Sequence, residues 1–76
     1  MGAINTTLYE SSISMNRIFA SGTEIIMNVN DRPLKNLLNG RYLLSEAYVK
    51  GKIDLESSAY MFEKYNQKIK QYLNIA

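Results

Sequence analysis

Residues 55–76, LESSAYMFEKYNQKIKQYLNIA, set Leu55, Ser58, Phe62, Tyr65, Ile69, Tyr72 and Ala76 at alternating steps of three and four. Such steps follow the 3.6-residue turn of an α-helix, so these side chains fall in one stripe along it. Ala59 and Leu73 widen the stripe into an apolar face. The segment reads as a helix from Leu55 to about Asn74 that buries this face against a second helix. Asp54 and Glu56 stand at its start and Lys64, Lys68 and Lys70 towards its end, an order of charge that suits the helix dipole.

The second helix is announced by Asp31-Arg32-Pro33. Asp31 is an N-cap residue, and the only proline fits a first helical turn, where its missing N–H costs nothing. From there Leu34, Leu37, Leu38, Leu44, Tyr48 and Val49 fall mostly on one side, with Asp31–Lys35 and Glu46–Lys50 as favourable pairs four apart. Lys50-Gly51-Lys52-Ile53-Asp54 combines a glycine stop with Asp54 as the next N-cap. Residues 31–50 and 54–74 therefore form a helical hairpin.

Residues 1–30 fit two templates. As a helix, Ile4, Leu8, Met15, Ile18, Phe19, Ile26 and Val29 share a face interrupted by Ser11, Ser12 and Gly22. As a strand from Thr23, Ile25, Met27 and Val29 alternate with Glu24, Ile26, Asn28 and Asn30. Ser21-Gly22-Thr23 breaks the pattern. The expectation is a helix or arm over residues 1–22, then either more helix or a short extended segment near residues 23–30.

A chain of 76 residues is one domain, and on folding it hides only about 60% of its unfolded surface. With no cysteine and no histidine it has neither a disulfide nor a structural zinc site to compensate. Association with another chain, as a homodimer or hetero-oligomer, is the natural source of further stability. The net charge of +2 is scattered along the chain and permits nucleic-acid contact without a basic block that announces it.

The longest aliphatic run, Ile25-Ile26-Met27, is far short of the roughly 18 residues of a membrane span, and no secretory signal is visible. A cytoplasmic protein without membrane contact is expected. Met1 to Thr6 fits the loose myristoylation pattern and Asn5-Thr6-Thr7 the glycosylation sequon, both of which recur by chance. Asn, Ile, Lys and Tyr make up 28 of 76 residues, the bias of AT-rich coding sequences in low-GC bacteria and the phages that infect them.

Without histidine and cysteine, Ser-His and Cys-His nucleophilic catalysis is excluded, and the four isolated glycines make no phosphate-cradling loop. Asp54 with Glu56, or Glu56 with Glu63, are the remaining carboxylate pairs, and they read as caps and solvated charges. No catalysis, cofactor or bound metal is expected. Attention falls instead on Arg41, which projects among Leu34, Leu38, Ser45 and Tyr48 near the middle of an apolar stripe. Its stem can pack while its head reaches water or a carboxylate such as Glu10 or Glu63; the alternative is an interface arginine. Leu43 and Tyr60 project opposite their helices' stripes, and Tyr60 lies near Lys64, Gln67 and Gln71. The candidate partner-binding residues are Arg41, Leu43, Tyr60, Lys64 and Gln67.

The order Glu24-Ile25-Ile26-Met27-Asn28-Val29-Asn30, a Pro33-bearing helix start, and a second helix after Gly51 resembles that of ribbon-helix-helix repressors. The resemblance implies paired strands from two chains whose outward side chains read the DNA major groove. By position, those would be Glu24, Ile26, Asn28 and Asn30. The leading expectation is an all-α domain, a small helical hairpin or three-helix unit, acting as a non-catalytic adaptor, inhibitor or regulator that binds another protein. A dimeric DNA-binding regulator is the alternative.

Overall fold

A computed structural model describes the backbone of residues 2–75 and the side chains of residues 8–74. Ile4, Ala76 and the two N-terminal motifs fall outside the described side chains. The elements are α1 (Gly2–Ser21), α2 (Glu24–Met27), α3 (Arg32–Val49) and α4 (Leu55–Ile75). The domain is all-α, and each of the three long helices packs on the other two, while α2 packs on α3.

The expected hairpin signals act as local physics requires. The Asp31 carboxylate accepts the Leu34 N–H at 3.2 Å and Pro33 lies in the first turn of α3. At the other end Gly51 takes φ 77°, Lys52 N–H donates to the Ala47 carbonyl at 2.8 Å, and Gly51 N–H donates to that of Tyr48 at 3.0 Å. These two bonds make a Schellman motif, which satisfies carbonyls the helix end leaves free and needs the left-handed backbone that glycine adopts without strain. Asp54 then receives hydrogen bonds from Ser57, which hold its carboxyl below its usual value. Glu46 and Lys50 pair at 3.4 Å. Asp31 makes no pair with Lys35; both its oxygens accept the Tyr72 hydroxyl, at 2.7 and 2.6 Å, tying the start of α3 to the end of α4.

Met15, Leu44 and Phe62, one from each long helix, form the centre, with Ile18, Tyr48, Ile53, Leu55 and Tyr65 packed around them. Three serines share that interior. Ser11, Ser45 and Ser58 are buried, again one per helix. Ser45 Oγ donates to the Arg41 carbonyl at 2.9 Å, and Ser58 Oγ to those of Asp54 and Leu55 at 2.7 and 3.1 Å. Bonded within their own helices, these hydroxyls cost little to bury, and their small size lets the helices approach closely. Ser11 thus belongs to the interior face of α1 that it was expected to interrupt. α1 is attached to α3 by the Ser12–Tyr48 hydroxyl pair at 2.6 Å and by stacking of Phe19 on Tyr42, with centroids 6.2 Å apart.

Of the two templates for residues 23–30 the helical one holds, and one other reading needs correction. Residues 24–27 form a single turn of helix, with no strand among the described residues, because Ile26 turns inward and is buried. Leu73, placed on the apolar face of α4, is exposed. Tyr72 already meets the residue that caps the start of α3, so Leu73 lies beyond the helix that would cover it.

Candidate functional site

The outer flank of the α3–α4 seam gathers most of the candidate residues. Gly40 exists to be covered: a Cβ there would lie 2.6 Å from Tyr65 Oη and 2.7 Å from the ring, so the tyrosine lies flat against the backbone of α3. Leu43, one turn further along α3 on the same side, is 53% exposed. On α4, Met61, Lys64, Tyr65 and Lys68 line a shallow depression of about 210 Å³. Tyr60 is 64% exposed, and Lys64 Nζ sits 5.0 Å from the centre of its ring. That is cation–π distance. The surface thus runs from Tyr60 through Lys64 to Met61 and Tyr65, and across the seam to the Leu43 side of α3. Gln67 is exposed on α4, three residues beyond Lys64.

The charge on this flank is unbalanced. Among the described residues the ion pair is Lys50–Glu46, so neither Lys64 nor Lys68 has a carboxylate within bonding distance. Compensation of the helix dipole does not account for them either. The last turn of α4 holds no basic residue, because the helix continues to Ile75, and the dipole's effect is confined to the terminal turn.

Arg41 is placed elsewhere. It points between helices, where its Nη1 donates to Asn66 Oδ1 at 2.8 Å. Neither Glu10 nor Glu63 meets it. Its Nε is buried without a partner, and burial pulls the guanidinium's pKa below its ordinary value. Arg41 therefore does not join Leu43, Tyr60, Lys64 and Gln67 on the outer flank.

The residues that the repressor resemblance carried over do not form a ribbon. Glu24 and the buried Ile26 stand in the α2 turn, Asn28 caps its end, and Asn30 lies in the link to α3. Groove reading by a ribbon needs alternate residues on one face of a strand, and a helical turn cannot supply that alternation. Among the described residues no group of three or more acidic side chains is placed to hold a metal ion, and no helix is long and apolar enough to cross a membrane.

Sequence reading missed Met61 as a surface residue, and it did not foresee that Tyr65, packed on the core as expected, also lines the depression. Met61 had a visible signal, an apolar side chain next to Tyr60 and off the three-four stripe. Tyr65 did not, because its position over Gly40 depends on how α3 and α4 are set against each other. No protein-family model, curated protein sequence or solved structure matches the chain.

Proposed function

We propose that this chain is a small non-catalytic protein-binding module, an adaptor, inhibitor or regulator, that docks through the outer flank of α3 and α4. The observation that carries the reading is the coincidence of exposed Leu43, Tyr60 and Met61 with two lysines that have no carboxylate partner among the described residues. Apolar side chains in a basic setting fit a partner segment that presents acidic groups beside apolar ones, since opposite charges steer the encounter and apolar contact holds it. Single exposed apolar residues are ordinary, but a contiguous group with aromatic and methionine members has interface composition. Association into a homodimer or hetero-oligomer, and a cytoplasmic location, belong to the same proposal.

Leu43→Asp and Tyr60→Asp test it. A charge on a solvated face is harmless to the free protein but is desolvated at a contact, so both variants should keep their helical circular dichroism and lose partner capture. Variants that fold and still recover the same partner would overturn the reading. So would sequence-selective DNA binding that depends on Asn28 and Asn30.

A further inference from the structure

A second concave site lies at another corner, where the end of α1, the α2 turn and the middle of α3 meet. Gly22, at φ 73°, ends α1 and leads into α2. The open cleft of about 210 Å³ has aliphatic walls from Ile18, Ile25, Ile26 and Leu38, and Arg41 lines it as the sole charged residue. This volume is below the roughly 300 to 1,000 Å³ of sites for drug-sized ligands, so an occupant must be small.

The charge of Arg41 is not balanced by any described residue. One guanidinium N–H is spent on the amide oxygen of Asn66, which is neutral, and the solvent-shielded Nε has no acceptor. Among the described residues no carboxylate lies within ion-pair distance. A half-buried cation left this way is costly, and the cost falls when an anion joins it in the same low-dielectric setting. The anion must also suit the walls. A phosphate dianion calls for several donors, whereas this cleft offers Arg41 and the Ser21 hydroxyl, whose proton is already given to the Arg17 carbonyl. A carboxylate needs fewer donors and can accept from the guanidinium N–H groups not given to Asn66, and an attached aliphatic chain gains by leaving water.

We propose that the cleft binds a short aliphatic carboxylate, its head on the Arg41 guanidinium and its chain between Ile18, Ile25, Ile26 and Leu38. The site is separate from the α3–α4 flank and does not depend on the docking reading.

Octanoate and its uncharged counterpart 1-octanol provide the test, followed by methyl NMR on the whole chain. Octanoate should shift the methyls of Ile18, Ile25, Ile26 and Leu38 saturably and bind the native protein more tightly than octanol. Arg41→Met should weaken octanoate about tenfold or more, the loss expected when a charge-assisted hydrogen bond is removed, and leave octanol unchanged. Methionine is apolar and fills similar space, so this variant should fold. Ile25→Ser, at an exposed wall position, should weaken both ligands. The proposal fails if octanol matches octanoate on the native protein, a comparison that needs no variant. It also fails if octanoate gives no saturable shifts, or if Arg41→Met binds octanoate as well as the native chain does.

Discussion

The α3–α4 hairpin and the α1–α2 segment are held in different ways. Every boundary of the hairpin has a local device: Asp31 and Pro33 at its start, the Gly51 Schellman motif at its bend, Asp54 with Ser57 at the second helix. The Tyr72–Asp31 bonds then close its open end. α1 has a local stop at its C-terminus, where Gly22 at φ 73° donates its N–H to the Phe19 carbonyl at 3.1 Å, but its docking rests on tertiary contacts: Met15 in the centre, Ser12 on Tyr48, Phe19 on Tyr42. Local devices fix where a helix starts and stops, whereas tertiary contacts fix whether it stays docked. The hairpin is therefore the platform, and α1 is the lid on its core.

The largest effect should come from the platform. Phe62 is 3% exposed, and Phe62→Ala should cost about 3 to 5 kcal/mol, enough to unfold so small a domain. Tyr60→Ala, two residues away, should change stability by no more than about 0.5 kcal/mol. Urea melts of the two variants measure both, and the reverse ranking would break the assignment of inner and outer faces on α4.

Gly40→Ala sharpens the same comparison. Alanine favours a helix by about 1 kcal/mol over glycine, but here its Cβ would meet the Tyr65 ring at under 3 Å. The net result should be destabilising by about 1 to 3 kcal/mol, the usual cost of overpacking. In a Tyr65→Ala background the clash is gone, and Gly40→Ala should become stabilising by about 1 kcal/mol. A substitution whose sign does not change between the two backgrounds would show that Tyr65 is not what keeps position 40 a glycine.

Tyr48→Phe removes the hydroxyl pair with Ser12 and should cost about 1 kcal/mol. If α1 is the more loosely held element, hydrogen exchange in this variant should quicken in α1 before α3 and α4. Equal quickening throughout would mean that lid and platform open as one unit.

The smallest effects are electrostatic and lie at the ends of the hairpin. The hydrogen bond to Asp31 raises the Tyr72 pKa above its ordinary value. Its contribution to stability is therefore complete below pH ~10 and is lost as pH rises through the folded-state value. Asp54 is shifted the other way, so its contribution is complete near neutrality and is lost as pH falls below ~4. Tyr72→Phe should flatten only the alkaline limb of a stability–pH profile, and Asp54→Asn only the acid limb. A Tyr72→Phe profile with the native alkaline slope would remove the clasp from the account of the hairpin.

How much was legible in the sequence follows the same division. Asp31, Pro33, Gly51 and Asp54 act through neighbours a few residues away, so their effects could be read from order alone. The stripe from Leu55 to Tyr72 could be read because helical period converts spacing into a face. The turn of α2 was ambiguous because four residues are too few to separate period two from period 3.6, and the docking of Ile26 decided it. Ser45 was hidden for another reason. A serine bonded back to its own helix is as acceptable inside as outside, and close helix approach puts Ser45 inside.

The candidate surfaces divide likewise. Outward projection of Leu43 and Tyr60 follows from period alone and holds. The depression between Met61 and Lys68, the tyrosine over Gly40, and the inward turn of Arg41 to Asn66 depend on the relative placement of helices. The sequence by itself determined an all-α chain, the limits of its two C-terminal helices and the side of each that is apolar, because all of these are set within a turn or two of backbone. Only the tertiary structure decided which polar residues lie inside, which lysines have no carboxylate partner among the described residues and where the Arg41 cleft opens, because each depends on the placement of side chains some 20 or more residues apart.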